Sequence, residues 1–150
     1  MPHSTKSEGF TLLEILIVVT IIGALMALLA NQFLGRQQEA SVKIAGMQIK
    51  KLEQALEMYR MDNGRYPTSE QGLVALVREP VLDPAPRRYA AGAYVKSADL
   101  EDPWQQEFYY ERPGEHNRHS FDLFSYGPDG LQGGDGLDTD IVNWDTGVEY

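Results

Sequence analysis

The stretch Gly9-Phe10-Thr11-Leu12-Leu13-Glu14 opens an apolar run that continues to Ala30, and Glu14 is the only ionisable side chain between Phe10 and Ala30. About 20 apolar residues suffice for a helix to cross a bilayer. A carboxylate within such a helix costs roughly 2.5–3.5 kcal/mol on insertion scales, so Glu14 needs a reason to be there. Three explanations compete. A cleaved secretory signal peptide fits poorly: a signal core spans about 7–15 residues and ends at a small-x-small site, whereas this run is longer and Ala27-Leu28-Leu29-Ala30 has a different spacing. A plain membrane anchor would put Glu14 at the interface, where the cost falls. In the third, Glu14 meets a positive partner inside the membrane.

The helical pattern does not stop at Ala30. Residues 31–36 are mixed in polarity, but no proline interrupts them. Val42, Ala45, Ile49, Leu52, Leu56 and Tyr59 then recur at spacings that mark one apolar face, while Lys43, Lys50, Lys51, Glu53, Gln54 and Glu57 fill the other positions. The pattern predicts one helix from about Phe10 to Met61, roughly 78 Å long at 1.5 Å per residue. Its first half is apolar all round and suits lipid or a subunit interface. Its second half is amphipathic and needs a small domain to cover its stripe.

Asp62-Asn63-Gly64 supplies a helix stop, and Tyr66-Pro67 reads as extended, because a residue before proline avoids the helical region. Thr68-Ser69-Glu70-Gln71 has the capping-box form and predicts a short helix through Val77 that buries Leu73, Leu76 and Val77. Pro80, Pro84 and Pro86 make an irregular connection to about Tyr94. Asp102-Pro103-Trp104 begins the β part, where Phe108–Glu111 and Phe121–Tyr126 are rich in strand formers. Two antiparallel strands joined by a polar loop are expected, with a third short strand near Tyr94-Val95. The fold class is therefore α+β: a long N-terminal helix, with a transmembrane half over residues 10–30, packed on a small antiparallel sheet.

With 150 residues the chain has room for one domain plus an anchor. It has no cysteine, so no disulfide framework forms. The formal net charge of −9 is unevenly spread: residues 81–150 carry five basic against fourteen acidic side chains, and no Lys or Arg follows Phe121. Nucleic acid is not an expected partner, since phosphate binding needs a basic surface.

The run from Tyr126 to Asp140 combines many glycines with Asp129, Asp135, Asp138 and Asp140. Glycine lets a backbone curl, and aspartate offers short, hard oxygen ligands of the kind calcium takes six to eight of. An EF-hand is excluded, because its alternating acids and terminal Glu are missing. Composition alone leaves two readings open, a calcium loop and a set of solvated Asp-Gly turns.

His3, His116 and His119 are the only histidines. Glu115-His116-Asn117-Arg118-His119 has neither a glycine-rich phosphate loop nor a nucleophile beside it, so a solvated hairpin loop is expected and no enzyme. Trp104 and Trp144 are expected to be packing aromatics.

The signal from Gly9 to Glu14 followed by an apolar helix resembles the class III signal of type IV pilins and type II secretion pseudopilins. The stretches Leu56–Pro67, Thr68–Leu76, Asp102–Trp104, Pro113–His116 and Asp122–Trp144 resemble the protein G (major pseudopilin) family of type II secretion, so the likeness covers nearly the whole chain. Ordinary type IV pilins share only the first part and add a disulfide loop that this chain cannot form. The resemblance implies a pilin fold, a leader at residues 1–9 cut by a prepilin peptidase between Gly9 and Phe10, and N-methylation of Phe10. It implies that Glu14 neutralises the amino group of Phe10 on a neighbouring subunit as the chain leaves membrane lipid and polymerises with itself. Minor pseudopilins and the inner-membrane assembly platform would be its other partners.

The resemblance also implies Ca²⁺ in the C-terminal loop, held by Asp129, Asp138 and Asp140 with the backbone carbonyls of Tyr126 and Leu131; the loop between Asp129 and Asp138 varies in length within the family, which leaves the role of Asp135 open. The location it implies is the inner membrane, single-pass, with residues 31–150 in the periplasm. Charge counting around the helix favours the opposite orientation: Lys6 precedes it, while Arg36, Lys43, Lys50 and Lys51 come after it. The family's usual proline is replaced here by Asn31. Three roles are weighed: an assembling major pseudopilin, a non-assembling membrane-anchored calcium-binding protein, and a type IV pilin or minor pseudopilin.

Overall fold

A computed structural model describes residues 11–144, with only the backbone described at 29–34. The expected leader and Phe10 lie outside these residues. The chain divides into two units, residues 1–37 and 38–150. Helix α1 runs from Leu12 to Asn63, two residues beyond its expected end. Its backbone stays helical through Asn31, as expected where proline is absent.

From Leu12 to Leu28 the side chains of α1 are exposed. Leu12 is 92% exposed and Leu16 63%. Among the described residues no helix is long and apolar enough to cross a membrane. The apolar stretch with described side chains, Leu12–Leu28, falls short of the ~20 residues of a span. The expected span runs past both of its ends, to Phe10 and to Ala30.

The second unit carries the core. Ala45, Ile49, Leu52, Ala55, Leu56 and Tyr59 are buried along one stripe of α1, with Val42 partly buried at its start. The apolar face thus lies where the spacing predicts. Leu52 and Leu56 are completely covered, a position where truncation to Ala typically costs about 2–5 kcal/mol. α1 ends where the Gly64 N–H donates to the Arg60 carbonyl at 2.7 Å. Asn63, also buried, donates to the Tyr59 carbonyl and accepts the Arg88 N–H, which ties the helix end to the irregular segment.

The capping box at residues 68–71 forms: the Thr68 N–H donates to Gln71 Oε1 at 3.1 Å, and the Gln71 N–H to Thr68 Oγ1 at 3.2 Å. It leads into a single 3₁₀ turn, Leu73–Leu76, rather than the expected helix through Val77. One turn suffices to bury Leu73 and Leu76. Leu76 then gives its carbonyl to the N–H groups of Tyr94 and Val95, so these residues pair with the turn and are not a strand.

The sheet has three strands in the order β1 (Tyr109–Glu111), β2 (Asp122–Ser125), β3 (Ile141–Val142), antiparallel throughout. Tyr110 faces Leu123, and Ser125 faces Ile141. The first two strands match the expectation. The third does not: it comes from the segment after the acidic loop, and its two residues, Ile141 and Val142, are both buried. A two-residue strand is too short to show alternation, which explains why the pattern hid it.

The loop between β1 and β2 is closed around Asp122, which is almost wholly buried. Its carboxylate accepts the N–H groups of His116 and Asn117 and lies 3.0 Å from His116 Nδ1. Burial pushes this carboxyl up, but the three hydrogen bonds outweigh it and hold it below the usual range. The His116 ring stacks on Trp144 at 4.0 Å. His116 is thus a clasp rather than a freely solvated loop residue, while Trp144 packs as expected. A Cβ at Gly114 would lie 2.6 Å from Asp122 Cγ and 2.8 Å from its backbone N. Gly114→Ala is expected to destabilise the domain by about 1–3 kcal/mol, read as a lower midpoint in a thermal melt; an unchanged midpoint would refute the clasp.

Candidate functional site

The described residues expected to carry chemistry lie in two places. At the start of α1, the Glu14 N–H donates to Thr11 Oγ1 at 3.2 Å, and the Thr11 N–H reaches Glu14 Oε2 at 3.4 Å. Thr11-Leu12-Leu13-Glu14 is therefore a capping box, in which hydroxyl and carboxylate satisfy each other's amides. A carboxylate in the first turn also complements the helix dipole. Sequence reasoning missed this role although the Thr-x-x-Glu spacing displays it. Glu14 is exposed, so its carboxylate is open to a second partner. The exposed apolar side chains beyond it are the kind of surface that marks a lipid or protein contact.

The second place is the acidic loop between β2 and β3. Tyr126 packs its ring against Tyr109 and Phe124 and leads into a 3₁₀ turn, Gly127–Asp129. Asp129 is exposed, and its Oδ1 accepts the Leu131 N–H at 3.1 Å. A second 3₁₀ turn covers Gly136–Asp138, with Asp135 at its N-cap position. Gly134, at φ +99°, passes so close to this turn that a Cβ would lie 2.8 Å from the Asp138 carbonyl carbon. Only glycine fits both that angle and that space.

Asp140 is half-buried, and its Oδ2 accepts the Gly133 N–H at 3.0 Å. Burial raises its carboxyl above the usual range; the Gly133 N–H opposes this, and the charge of Asp129 adds to it. Of the three expected acidic ligands, Asp129 thus acts on Asp140 through its charge. Among the described residues, no three acidic or histidine side chains converge on one point, so Asp138 does not complete a carboxylate triad. The donors fit a hard cation in kind: all are oxygens, and a cation would cancel the Asp129–Asp140 repulsion.

Sequence reasoning passed over Asp102, whose buried carboxyl accepts the N–H groups of Trp104 and Gln106 at 2.9 Å each and the Ser125 hydroxyl at 2.6 Å. A lone Asp before Pro-Trp reads as a turn residue, and its partner lies 23 positions away.

A long helix covered by a small antiparallel sheet, with a capped acidic start and outward apolar side chains, defines a pilin-like subunit. Comparison with known proteins narrows this. Residues 4–30 match the prokaryotic N-terminal methylation motif, and residues 32–144 match the family model for protein G of the type II secretion system. The type II secretion system core protein G of Dickeya chrysanthemi is 43% identical over 95% of this chain and 89% of its own length. That of Vibrio cholerae serotype O1 is 42% identical over 96% of both chains. The crystal structure of the major pseudopilin from the type 2 secretion system of enterohaemorrhagic Escherichia coli superposes with a TM-score of 0.63 at 39% identity, covering 73% of this chain and 87% of that one. The chain belongs to the protein G family of the type II secretion system, a family of structural major pseudopilins.

Proposed function

We infer that this chain is the major pseudopilin subunit that polymerises into the periplasmic pseudopilus of a type II secretion system and drives export of folded proteins across the outer membrane. The observation that carries it is the joint match of residues 4–30 to the methylation motif and of residues 32–144 to protein G. In this reading a prepilin peptidase cuts between Gly9 and Phe10 and Phe10 is N-methylated. Residues 10–30 store the subunit in the inner membrane, with the second unit in the periplasm. Assembly pairs Glu14 with the amino group of Phe10 on a neighbour, in contact with minor pseudopilins and the assembly platform. The apolar side chains of α1 from Leu12 to Leu28 support it, since among the described residues they are exposed.

Calcium belongs to the same reading. Asp129 and Asp140 supply carboxylate oxygens, Asp138 a third, and the carbonyls of Tyr126 and Leu131 complete the donor set. A bound cation would supply the positive charge that offsets the loop's aspartates. The support for this is the donor chemistry of the loop, four aspartates among glycines between Tyr126 and Asp140.

The test is mass analysis of the chain isolated from membranes of its host. A mature N-terminus at N-methylated Phe10 is expected. A chain starting at Met1, or one cut after Ala30, would overturn the assignment.

A further inference from the structure

We propose that Ser125, backed by Asp102 and joined by Gln106, is a positioning residue that sets the calcium affinity of the acidic loop without touching the ion. The proposal rests on the calcium reading above.

The root of the loop is held from both sides. Gly127 gives its N–H to Ser125 Oγ at 3.0 Å, and its carbonyl accepts Gln106 Nε2–H at 3.3 Å. Ser125 is 1% exposed and passes its own hydroxyl proton to Asp102 Oδ2 at 2.6 Å. Asp102, 5% exposed, uses its other oxygen on the N–H groups of Trp104 and Gln106. The same turn is closed by the Asp102 N–H on the Gln106 carbonyl at 2.8 Å and the Gln105 N–H on the Asp102 carbonyl at 3.0 Å. Gln105 takes φ +65° there, a conformation that a non-glycine residue keeps only where its surroundings impose it.

A turn cap alone would need only Asp102 Oδ1. Oδ2 reaches across to Ser125, and Ser125 hands the contact on to the peptide that begins the Gly127–Asp129 turn. Buried polar groups satisfied in series fix a geometry, because breaking one link leaves another group unpaired away from water. Asp129 closes the 3₁₀ turn that Gly127 begins, so the orientation of the held peptide sets where its carboxylate lies. Outer contacts of this kind typically change metal affinity by about 10–100-fold when removed.

The experiment titrates calcium into the purified full chain in detergent, following tryptophan fluorescence, and records melts with chelator and with saturating calcium. Ser125→Ala is expected to raise the half-saturating calcium concentration about tenfold. Gln106→Ala, at a half-exposed position, tests the same geometry should the buried change prevent folding, and is expected to raise it also. Asp122→Asn is the control: equally buried and on the same strand, it has no link to Gly127 and is expected to lower the chelated melting point with half-saturation unchanged. If Ser125→Ala and Gln106→Ala leave half-saturation unchanged while the wild-type chain responds to calcium, the positioning role is overturned and the calcium loop stands. If Asp122→Asn weakens calcium as much as Ser125→Ala, general destabilisation replaces it. No calcium response in the wild-type chain overturns both readings.

Discussion

Glu14→Leu is expected to leave cleavage between Gly9 and Phe10 intact and to abolish filaments in electron micrographs of cells expressing the secretion system. An unpaired carboxylate in the membrane costs roughly 2.5–3.5 kcal/mol, a factor on the order of a hundred in an equilibrium at about 1.4 kcal/mol per tenfold. In the proposed reading, pairing with the Phe10 amino group of a neighbour removes that cost on assembly, which would give the wild-type chain a driving force that the leucine variant lacks. The capping box supplies a second, local role for Glu14, and the two roles can be separated. Glu14→Gln keeps the amide-capping geometry, because glutamine serves at this position as well as glutamate, but it carries no charge. If charge pairing drives assembly, Glu14→Gln fails like Glu14→Leu while the start of α1 stays helical. Filaments in the Gln variant would show that capping, worth about 1 kcal/mol, is what assembly needs. Normal filaments in both would remove Glu14 from the mechanism.

Calcium is expected to raise the melting temperature of the wild-type chain, and Asp129→Ala to abolish that rise. A ligand at a hundredfold excess over its dissociation constant stabilises the state it binds by ~2.7 kcal/mol. At about 4–8 °C per kcal/mol for a small domain, the midpoint moves on the order of 10 °C. Asp129 is the chosen position because it is exposed and its carboxylate accepts the nearby Leu131 N–H. Its removal therefore leaves the core intact, and without calcium the variant is expected to melt no lower than the wild-type chain, because the charge that burdens Asp140 is gone. The sign comes from the pair: the charge of Asp129 helps to raise the Asp140 carboxyl, a cost a cation turns into a gain. An equal calcium shift in Asp129→Ala would take Asp129 out of the ligand set and leave the Asp138–Asp140 side to hold the ion.

Much of this is legible in the chain itself. The stripe from Ala45 to Tyr59 recurs at helical spacing, and its residues Ala45, Ile49, Leu52, Leu56 and Tyr59 are all buried as the period requires. Strands β1 and β2 stand out because aromatic and β-branched residues cluster there between turn formers. The Thr-x-x-Glu at residues 11–14 is equally legible, but the apolar run around it directs attention to the membrane cost of Glu14 and away from its capping role.

Other features have no local signature. β3 is two residues long, too short to show a period, and exists because β2 offers Phe124 and Ser125 as partners. Tyr94 and Val95 have strand-forming side chains, yet the carbonyl that takes their N–H groups is that of Leu76. The clasp of Asp122, His116 and Trp144 and the relay from Asp102 through Ser125 to Gly127 join residues far apart in sequence, and which carboxyl becomes buried depends on where the sheet lies.

Order along the chain was enough for the long helix, its change from all-round apolar to amphipathic, the processing motif at its head and the acidic character of its end. Periodicity and composition act over a few residues and are visible one turn at a time. Folding in three dimensions chose which aspartates became buried supports, Asp102 and Asp122, and which stayed exposed, such as Asp129. That choice is made by burial and by partners brought in from distant strands, quantities that exist only once the chain has closed on itself.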